Sequence, residues 1–412
     1  MKPRLVYLLR LILVLLMSFL LQKLLFLLLT PGDGGVGLGD ALAVLYHGLS
    51  LDLSVLGYLL VIPLILLALS FLVKHFPARQ ILRPYHLLVA LLGGIVTVVD
   101  LRLYPFWGFK LDASVFLYLD SPGEAFASVS LGFILANLFL IALWSALVFF
   151  ALGWRLEKTW PSVKRGWIPA LGTLVLLAPT FLLIRGGVSQ ATANVGQVYF
   201  SDRQYLNHAA VNPVFSLFSS LGKTEDFGAE YNFYSDAELA RLTADLFPAE
   251  APSIDTLLTT RRPNILVIIM ESFGARYIGA LEGMAEVSPH FDRLSKEGIL
   301  FSSCYANSFR TDRGVLSTLS GYPSFPTHSV MKLPAKIRSL SALSAQLRKQ
   351  GYTTDFLYGG DANFTGLKGY LLGSGYQRVT DVAGLSSSLP RNSWGVHDEA
   401  TLDYVYQQIV SR

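Results

Sequence analysis

Five long apolar runs crowd the first 185 positions of this 412-residue chain: Leu5–Leu29, Leu53–Val73, His86–Tyr104, Leu131–Trp154 and Trp167–Ile184. Each approaches the roughly 20 helical residues needed to cross a hydrocarbon core about 30 Å thick. The first is interrupted only by Arg10, Gln22 and Lys23 and is followed by no small-residue cleavage site, so a retained helix is expected rather than a removed leader. Hydrophobic residues make up 52% of the chain and charged residues 15%, against about 25% charged in soluble domains. This composition excludes a disordered chain, a nucleic-acid-binding arm and an ordinary cytosolic globule. A single cysteine, Cys304, excludes an intramolecular disulfide framework and any multi-cysteine metal cluster, and its setting reads as a small core residue on a strand.

The net charge of +4 is too small to make a polyanion-binding surface, so the placement of the charges carries the information. Lys2, Arg4 and Arg10 open the chain, Lys74, Arg79 and Arg83 separate runs two and three, and Arg155, Lys158, Lys164 and Arg165 separate runs four and five. The alternate connections carry Asp33, Asp40 and Asp52, then Asp112, Asp120 and Glu124 with one lysine. This asymmetry puts the N-terminus in the cytoplasm and, after an odd number of spans, everything beyond about Arg185 outside a cell membrane.

Gly37–Ser50 is too short and glycine-rich to span, so it reads as an outer loop or an interfacial helix, with His47 and Asp52 near lipid headgroups as the sharper alternative. Asp100 and Arg102 form either an intramembrane functional pair or an interfacial salt bridge. Residues 1–185 form the transmembrane domain, and 186–261 read as a juxtamembrane linker. Within the linker, Val214–Leu221 after Asn212-Pro213 is expected to lie on the membrane as a helix. Asp236–Phe247 has helical spacing, with Leu239, Leu242 and Leu246 on one face.

From residue 262 the pattern changes. Asn264–Met270, NILVIIM, reads as a central strand of a parallel sheet, and Glu271 stands at its carboxyl end, where open α/β sheets place ligands. By itself Glu271 is either such a ligand or a capping acid. A helix over Ser288–Glu297, a strand over Ile299–Tyr305 and a helix over Gly314–Leu319 follow. Thr311 then falls near a helix N-terminus, as a plain N-cap or as a nucleophile whose acidity the free N–H groups raise.

The ordered set ESF, SPHFDRLSKEGILF, SFRTDRG, LSGYP, YGGDANF and WGVHDE resembles the membrane-anchored phosphoglycerol transferases of the lipoteichoic acid synthase type, in the alkaline phosphatase and sulfatase superfamily. The resemblance implies a multi-pass helical membrane domain followed by an α/β alkaline-phosphatase-like extracytoplasmic domain. The reaction it implies is transfer of glycerophosphate from phosphatidylglycerol to a glycan or polymer acceptor through a covalent intermediate on Thr311. Glu271 and Thr311 would hold a divalent metal, manganese foremost, with magnesium or zinc as alternatives. Asp361 matches an acidic residue of the headgroup pocket. Lys368 stands where the family has an arginine, and Gly366 where it has a tryptophan. Arg310 and Arg313 flank Thr311 and serve either as phosphate contacts or as structural ion pairs.

The family completes its metal site with an Asp-His pair and uses another downstream histidine, whereas this sequence offers only His290, His328 and His397 beyond residue 262. His397 opens a helix over Glu399–Val410 and reads as a cap. Residues 262–412 are therefore expected to be the N-terminal part of a catalytic domain whose second half lies beyond Arg412. A phosphoethanolamine transferase or another sulfatase-superfamily hydrolase is the alternative activity; the single cysteine argues against the disulfides such transferases usually carry, and Cys304 does not fit the C/S-x-P-x-R context of a true sulfatase. A catalytically inactive relative that binds lipid or glycan is the alternative from another class. Oligomeric state is unconstrained, and no nucleic-acid partner is expected.

Overall fold

The structure, a computed structural model, describes residues 2–411 apart from 31, 33, 74, 114, 117–129, 154–165, 190, 222–230, 245–257, 259, 309 and 326–327. The basic loop Arg155–Arg165, Lys74 and Leu246 thus lie outside the described residues. Five helices are long and apolar enough to cross a membrane: α1 Lys2–Leu29, α2 Leu38–Leu72, α3 Ala78–Trp107, α4 Leu131–Gly153 and α5 Trp167–Arg185. Helices α3 and α5 end on Gly108 and Gly186 in left-handed conformation, whose N–H groups return to Tyr104 and Leu182 carbonyls. That conformation costs a side-chain-bearing residue more than glycine.

Gly37–Ser50 is not a separate loop. Leu38 begins a helix of 35 residues that continues unbroken to Leu72, about 52 Å long and well beyond the hydrocarbon thickness. The run Gly37–Ser50 contains no proline and few polar residues to break the ladder, so the helix extends beyond its apolar segment.

The buried charges Lys23, Asp52, Asp100 and Lys110 find partners inside the bundle. Lys23 pairs with Asp52 at 2.5 Å, and Asn212 Nδ2 donates to the same carboxylate oxygen at 2.9 Å. Asp100 pairs with Lys110 and also accepts from the Leu111 N–H at 3.0 Å. The expected Asp100–Arg102 pair is absent: the two side chains point apart, and Arg102 donates to Asn137 at 2.8 Å. Neighbours two apart on a helix do not face each other. The other ends of the helices are tied by Arg10, which donates to the Leu152 carbonyl at 2.9 Å.

Contacts divide the chain into two units, residues 1–223 with 316–412, and residues 224–315. In the first, the opening part of the segment expected to be a linker packs into the core. Helices α6 Gln204–Ala210 and α7 Pro213–Ser220 follow a short 3-10 turn over Val195–Val198. Val198, Leu206, Ala210 and Val211 join Leu11, Phe26, Val44 and Leu51 in one buried cluster. Helix α7 is capped by Asn212, whose Oδ1 accepts from Val214 and Phe215 N–H groups. Pro213, Phe215 and Leu217 are buried while Phe218 is exposed, so α7 packs into protein on one side rather than resting wholly on lipid.

The part of this unit after residue 316 contains a βαβ arrangement. Strands β1 Asp355–Leu357 and β2 Arg378–Thr380 pair in parallel, and Asp355 opposite Arg378 forms an ion pair at 2.6 Å. The crossover carries a helix over Leu367–Gly373 (the crossover helix). A short antiparallel pair, Arg391–Asn392 with Gly395–Val396, precedes a terminal helix over Asp398–Val410. His397 occupies the N-cap position of that helix, but its side chain makes no capping bond.

The second unit differs from expectation. Asn264–Met270 forms no strand and pairs with none among the described residues, and Ile265–Met270 are 39–60% exposed. Ile299–Tyr305 likewise forms no ladder, and Cys304 is exposed rather than core. A strand buried on both faces requires neighbours and covering helices, which the described residues do not supply here. The helix over Pro289–Glu297 forms, with Phe291 against Phe273, while Leu294 stays 57% exposed. Asp236–Thr243 is helical, and its Leu239 and Leu242 are exposed.

Candidate functional site

Two residues expected at the reacting centre meet within the second unit. The apolar run 264–270 ends at Glu271, and the next residue, Ser272, adopts φ 60°. A side-chain-bearing residue in the left-handed region carries strain, and such strain concentrates at functional sites. Forty residues on, the sequence turns into a helix that begins at Thr311 and runs to Ser320. Arg310 supplies its cap, its carbonyl accepting from Arg313 N–H at 3.1 Å and Gly314 N–H at 2.8 Å.

Thr311 therefore stands in the first turn, where N–H groups without intrahelical acceptors favour negative charge. Its Oγ1 donates to Glu271 Oε1 at 2.5 Å. A hydroxyl so placed can serve as a nucleophile, with the carboxylate positioned to draw off its proton. Glu271 is exposed and Thr311 half-buried. Arg310 is exposed and Arg313 half-buried beside it on the same turn, while Asp312 is 4% exposed.

The remaining expected residues fall in the other unit. Asp361 follows the carboxyl end of β1, the edge at which parallel sheets receive ligands. Its Oδ1 accepts from Asn363 N–H at 2.9 Å and Asn363 Nδ2 at 3.0 Å, a local turn that fixes the carboxylate. Lys368 lies in the first turn of the crossover helix, its N–H bonded to the Ala362 carbonyl at 2.7 Å. Between them Thr365 adopts φ 57°, and Phe364 meets Trp394 edge-on with centroids 6.4 Å apart. That aromatic pair was not marked as a site by spacing, since its members are thirty residues apart and only the crossover brings them together.

Two oxygen donors, the Glu271 carboxylate and the Thr311 hydroxyl, suit a hard or borderline divalent cation. Among the described residues no group of three or more His, Cys, Asp or Glu side chains is arranged around an ion.

Residues 263–412 match the sulfatase family model. The crystal structure of a protein in the alkaline phosphatase superfamily from Vibrio parahaemolyticus is 32% identical, over 34% of this chain and 34% of that one, with a TM-score of 0.32. The chain thus spans about a third of that protein's length. By class, then, this is a protein of five long apolar helices followed by a sulfatase-like domain.

Proposed function

We propose that the protein transfers glycerophosphate from phosphatidylglycerol to a glycan or polymer acceptor outside the cell membrane, with Thr311 as nucleophile. The observation that carries this reading is the Thr311 hydroxyl held at 2.5 Å from Glu271 in the first turn of a helix. Similarity to sulfatases supports chemistry at a phosphoester or sulfate ester. The motif resemblance narrows that chemistry to glycerophosphate, and the five apolar helices would keep the site beside a lipid donor.

In this reading Glu271 takes the direction of the departing proton as Thr311 Oγ1 attacks phosphorus. The P–O bond to diacylglycerol breaks and its oxygen leaves as the alcohol with the proton taken from Thr311; glycerophosphate remains esterified to Thr311 until an acceptor hydroxyl displaces it, its proton returning to the Thr311 oxygen. The helix N-terminus stabilises the anionic group at each stage, with Arg310 and Arg313 available to contact its oxygens. Glu271 and Thr311 would hold a divalent cation, manganese foremost, which when bound would lower the pKa of the hydroxyl and offset phosphoryl charge. Asp361 and Lys368 are assigned to the headgroup. The N-terminus is assigned to the cytoplasm and the sulfatase-like domain to the extracytoplasmic side.

Replacing Thr311 with Ala in the full-length protein is expected to abolish phosphatidylglycerol consumption in membranes and to abolish a phosphothreonine-linked glycerol adduct detectable by mass spectrometry. Persistence of either would remove Thr311 as the nucleophile.

A further inference from the structure

Arg102 lies on the outside of the helix bundle. Helix α3 presents Leu88, Leu91, Ile95 and Phe106 along one exposed apolar stripe, the face a membrane span turns to acyl chains, and the exposed Arg102 stands within it. At 30 residues α3 is about 45 Å long, so a centred span overreaches a hydrocarbon core of about 30 Å by roughly 7 Å at each end. Arg102, five residues before Trp107 at the helix end, therefore falls at the edge of the core, where lipid phosphates begin.

Cations within membrane spans normally face the bundle interior and pair with an acid. The two lysines at this end of the bundle do so, Lys23 with Asp52 and Lys110 with Asp100. Arg102 does neither. Among the described residues it makes no ion pair, and its side-chain hydrogen bond runs from Nε to Asn137 Oδ1 on α4 at 2.8 Å. The Asn137 amide is itself set, since its Nδ2 donates to the Phe133 carbonyl at 2.8 Å and so turns Oδ1 toward the arginine. Two turns further in, the helices that carry these side chains pack closely: a Cβ on Gly94 of α3 would collide with Ser145 of α4. With Nε engaged on this frame, the plane of the guanidinium is fixed, and its two terminal nitrogens are left to fork onto two oxygens of one phosphate.

The described residues do not supply the anion that such a fork needs, and the anion found at that depth along a lipid-facing stripe is the phosphate of a phospholipid. We propose that Arg102 and Asn137 form a site on the lipid face of α3 and α4 for the phosphate of one anionic phospholipid, its acyl chains lying along Leu88, Leu91 and Ile95. An anionic lipid suits the site better than a zwitterionic one, because Asp100, the acid nearest in sequence, is buried and spent on Lys110, leaving no carboxylate beside Arg102 for an ammonium group among the described residues. The site requires α3 and α4 to be membrane spans and nothing of the transfer reaction.

The test reconstitutes the full chain in phosphatidylcholine vesicles holding a small fraction of phosphatidylglycerol with a diazirine in its acyl chains. Photolabel on α3 and α4 is mapped by mass spectrometry while unlabelled lipids compete. Labelling of the stripe is expected to be displaced by phosphatidylglycerol, and not by the same amount of phosphatidylethanolamine or by inorganic phosphate. Arg102→Gln is expected to weaken the affinity read from this competition roughly ten- to hundredfold, the effect of losing a charge-assisted hydrogen bond. Asn137→Leu, which keeps the charge and frees the guanidinium, is expected to weaken it by less. Unchanged affinity in Arg102→Gln, or equal displacement by phosphatidylethanolamine, would overturn the site and leave Arg102 as a side chain reaching into bulk headgroups. Unchanged affinity in Asn137→Leu would overturn the fixed fork, and displacement by inorganic phosphate would overturn the lipid as ligand. If Arg102→Gln fails to assemble, Arg102→Lys keeps the charge and loses the fork; its preference for phosphatidylglycerol is expected to fall, and an unchanged preference would overturn the site.

Discussion

A threonine hydroxyl is a poor nucleophile at neutral pH, and what matters at Thr311 is what surrounds its oxygen. Glu271 accepts a hydrogen bond from it at 2.5 Å and the helix starts at the same residue; in the proposed reaction the first would take its proton and the second would favour the anion. A different economy governs His208. It is 4% exposed, receives Gln204 Nε2 on its Nε2 at 3.1 Å, and so carries its proton on Nδ1, facing Tyr104 Oη at 3.0 Å. Burial, then Arg338 and Lys110, lowers its pKa to about 3. The unfolded chain takes up this proton near pH 6.5, about the ordinary histidine value. Between these limits the unfolded state binds more protons, so stability falls as pH drops through the window, by at most ~1.4 kcal/mol per pH unit. His208→Gln is expected to flatten the dependence of the thermal midpoint on pH between about 7 and 5. Parallel curves for the two proteins would show that the folded state accepts the proton as readily as the unfolded one.

At the scale of elements, the buried ion pairs decide how α1, α2 and α3 register against one another. Lys23 and Asp52 are 1% and 7% exposed at the side chain, and Lys110 also lies over the Phe26 ring at 4.1 Å. Removing one member leaves the other charged and buried, at a cost of roughly 3–5 kcal/mol. Lys23→Met should therefore lower the unfolding midpoint in detergent sharply, and adding Asp52→Leu should recover most of the loss. A double variant as unstable as the single would assign the cost to packing instead. The five apolar runs and the helix at Thr311 were legible because their signals are local: length, hydropathy and a polar turn before small residues. The partners of Asp52 and Asp100 were not, since Lys23 and Asn212 reach Asp52 from 29 and 160 residues away. The strands at 264–270 and 299–305 were read from β-branched content, but a ladder depends on neighbours that periodicity does not reveal. Glu271 and Thr311 were brought together in expectation only by the motif resemblance; spacing alone left each open between a functional residue and a cap.

For the molecule as a whole, residues 316–412 share a core with the membrane helices, Leu372 lying in the same buried cluster as Phe26 and Val198. The seam includes Gly196, where a Cβ would stand 2.8 Å from Gly369 Cα of the crossover helix, and Arg338, which donates to the Trp107 and Gly108 carbonyls at the end of α3. Gly196→Val would force the two backbones apart, and overpacking of this kind costs about 1–3 kcal/mol. The expected result is faster proteolytic release of the region after residue 316, with the apolar helices left intact; unchanged cleavage would mean that the seam is not a stabilising contact. The same ion pairs also impose an order on biogenesis. Asp100 meets Lys110 after 10 further residues are made, Lys23 waits 29 residues for Asp52, and Asn212 arrives 160 residues after Asp52. During synthesis Lys23 thus enters the bilayer region before its counter-charge exists. The first helix is held by its apolar length alone until the hairpin with α2 closes, and the polar layer is completed only when the juxtamembrane segment is translated.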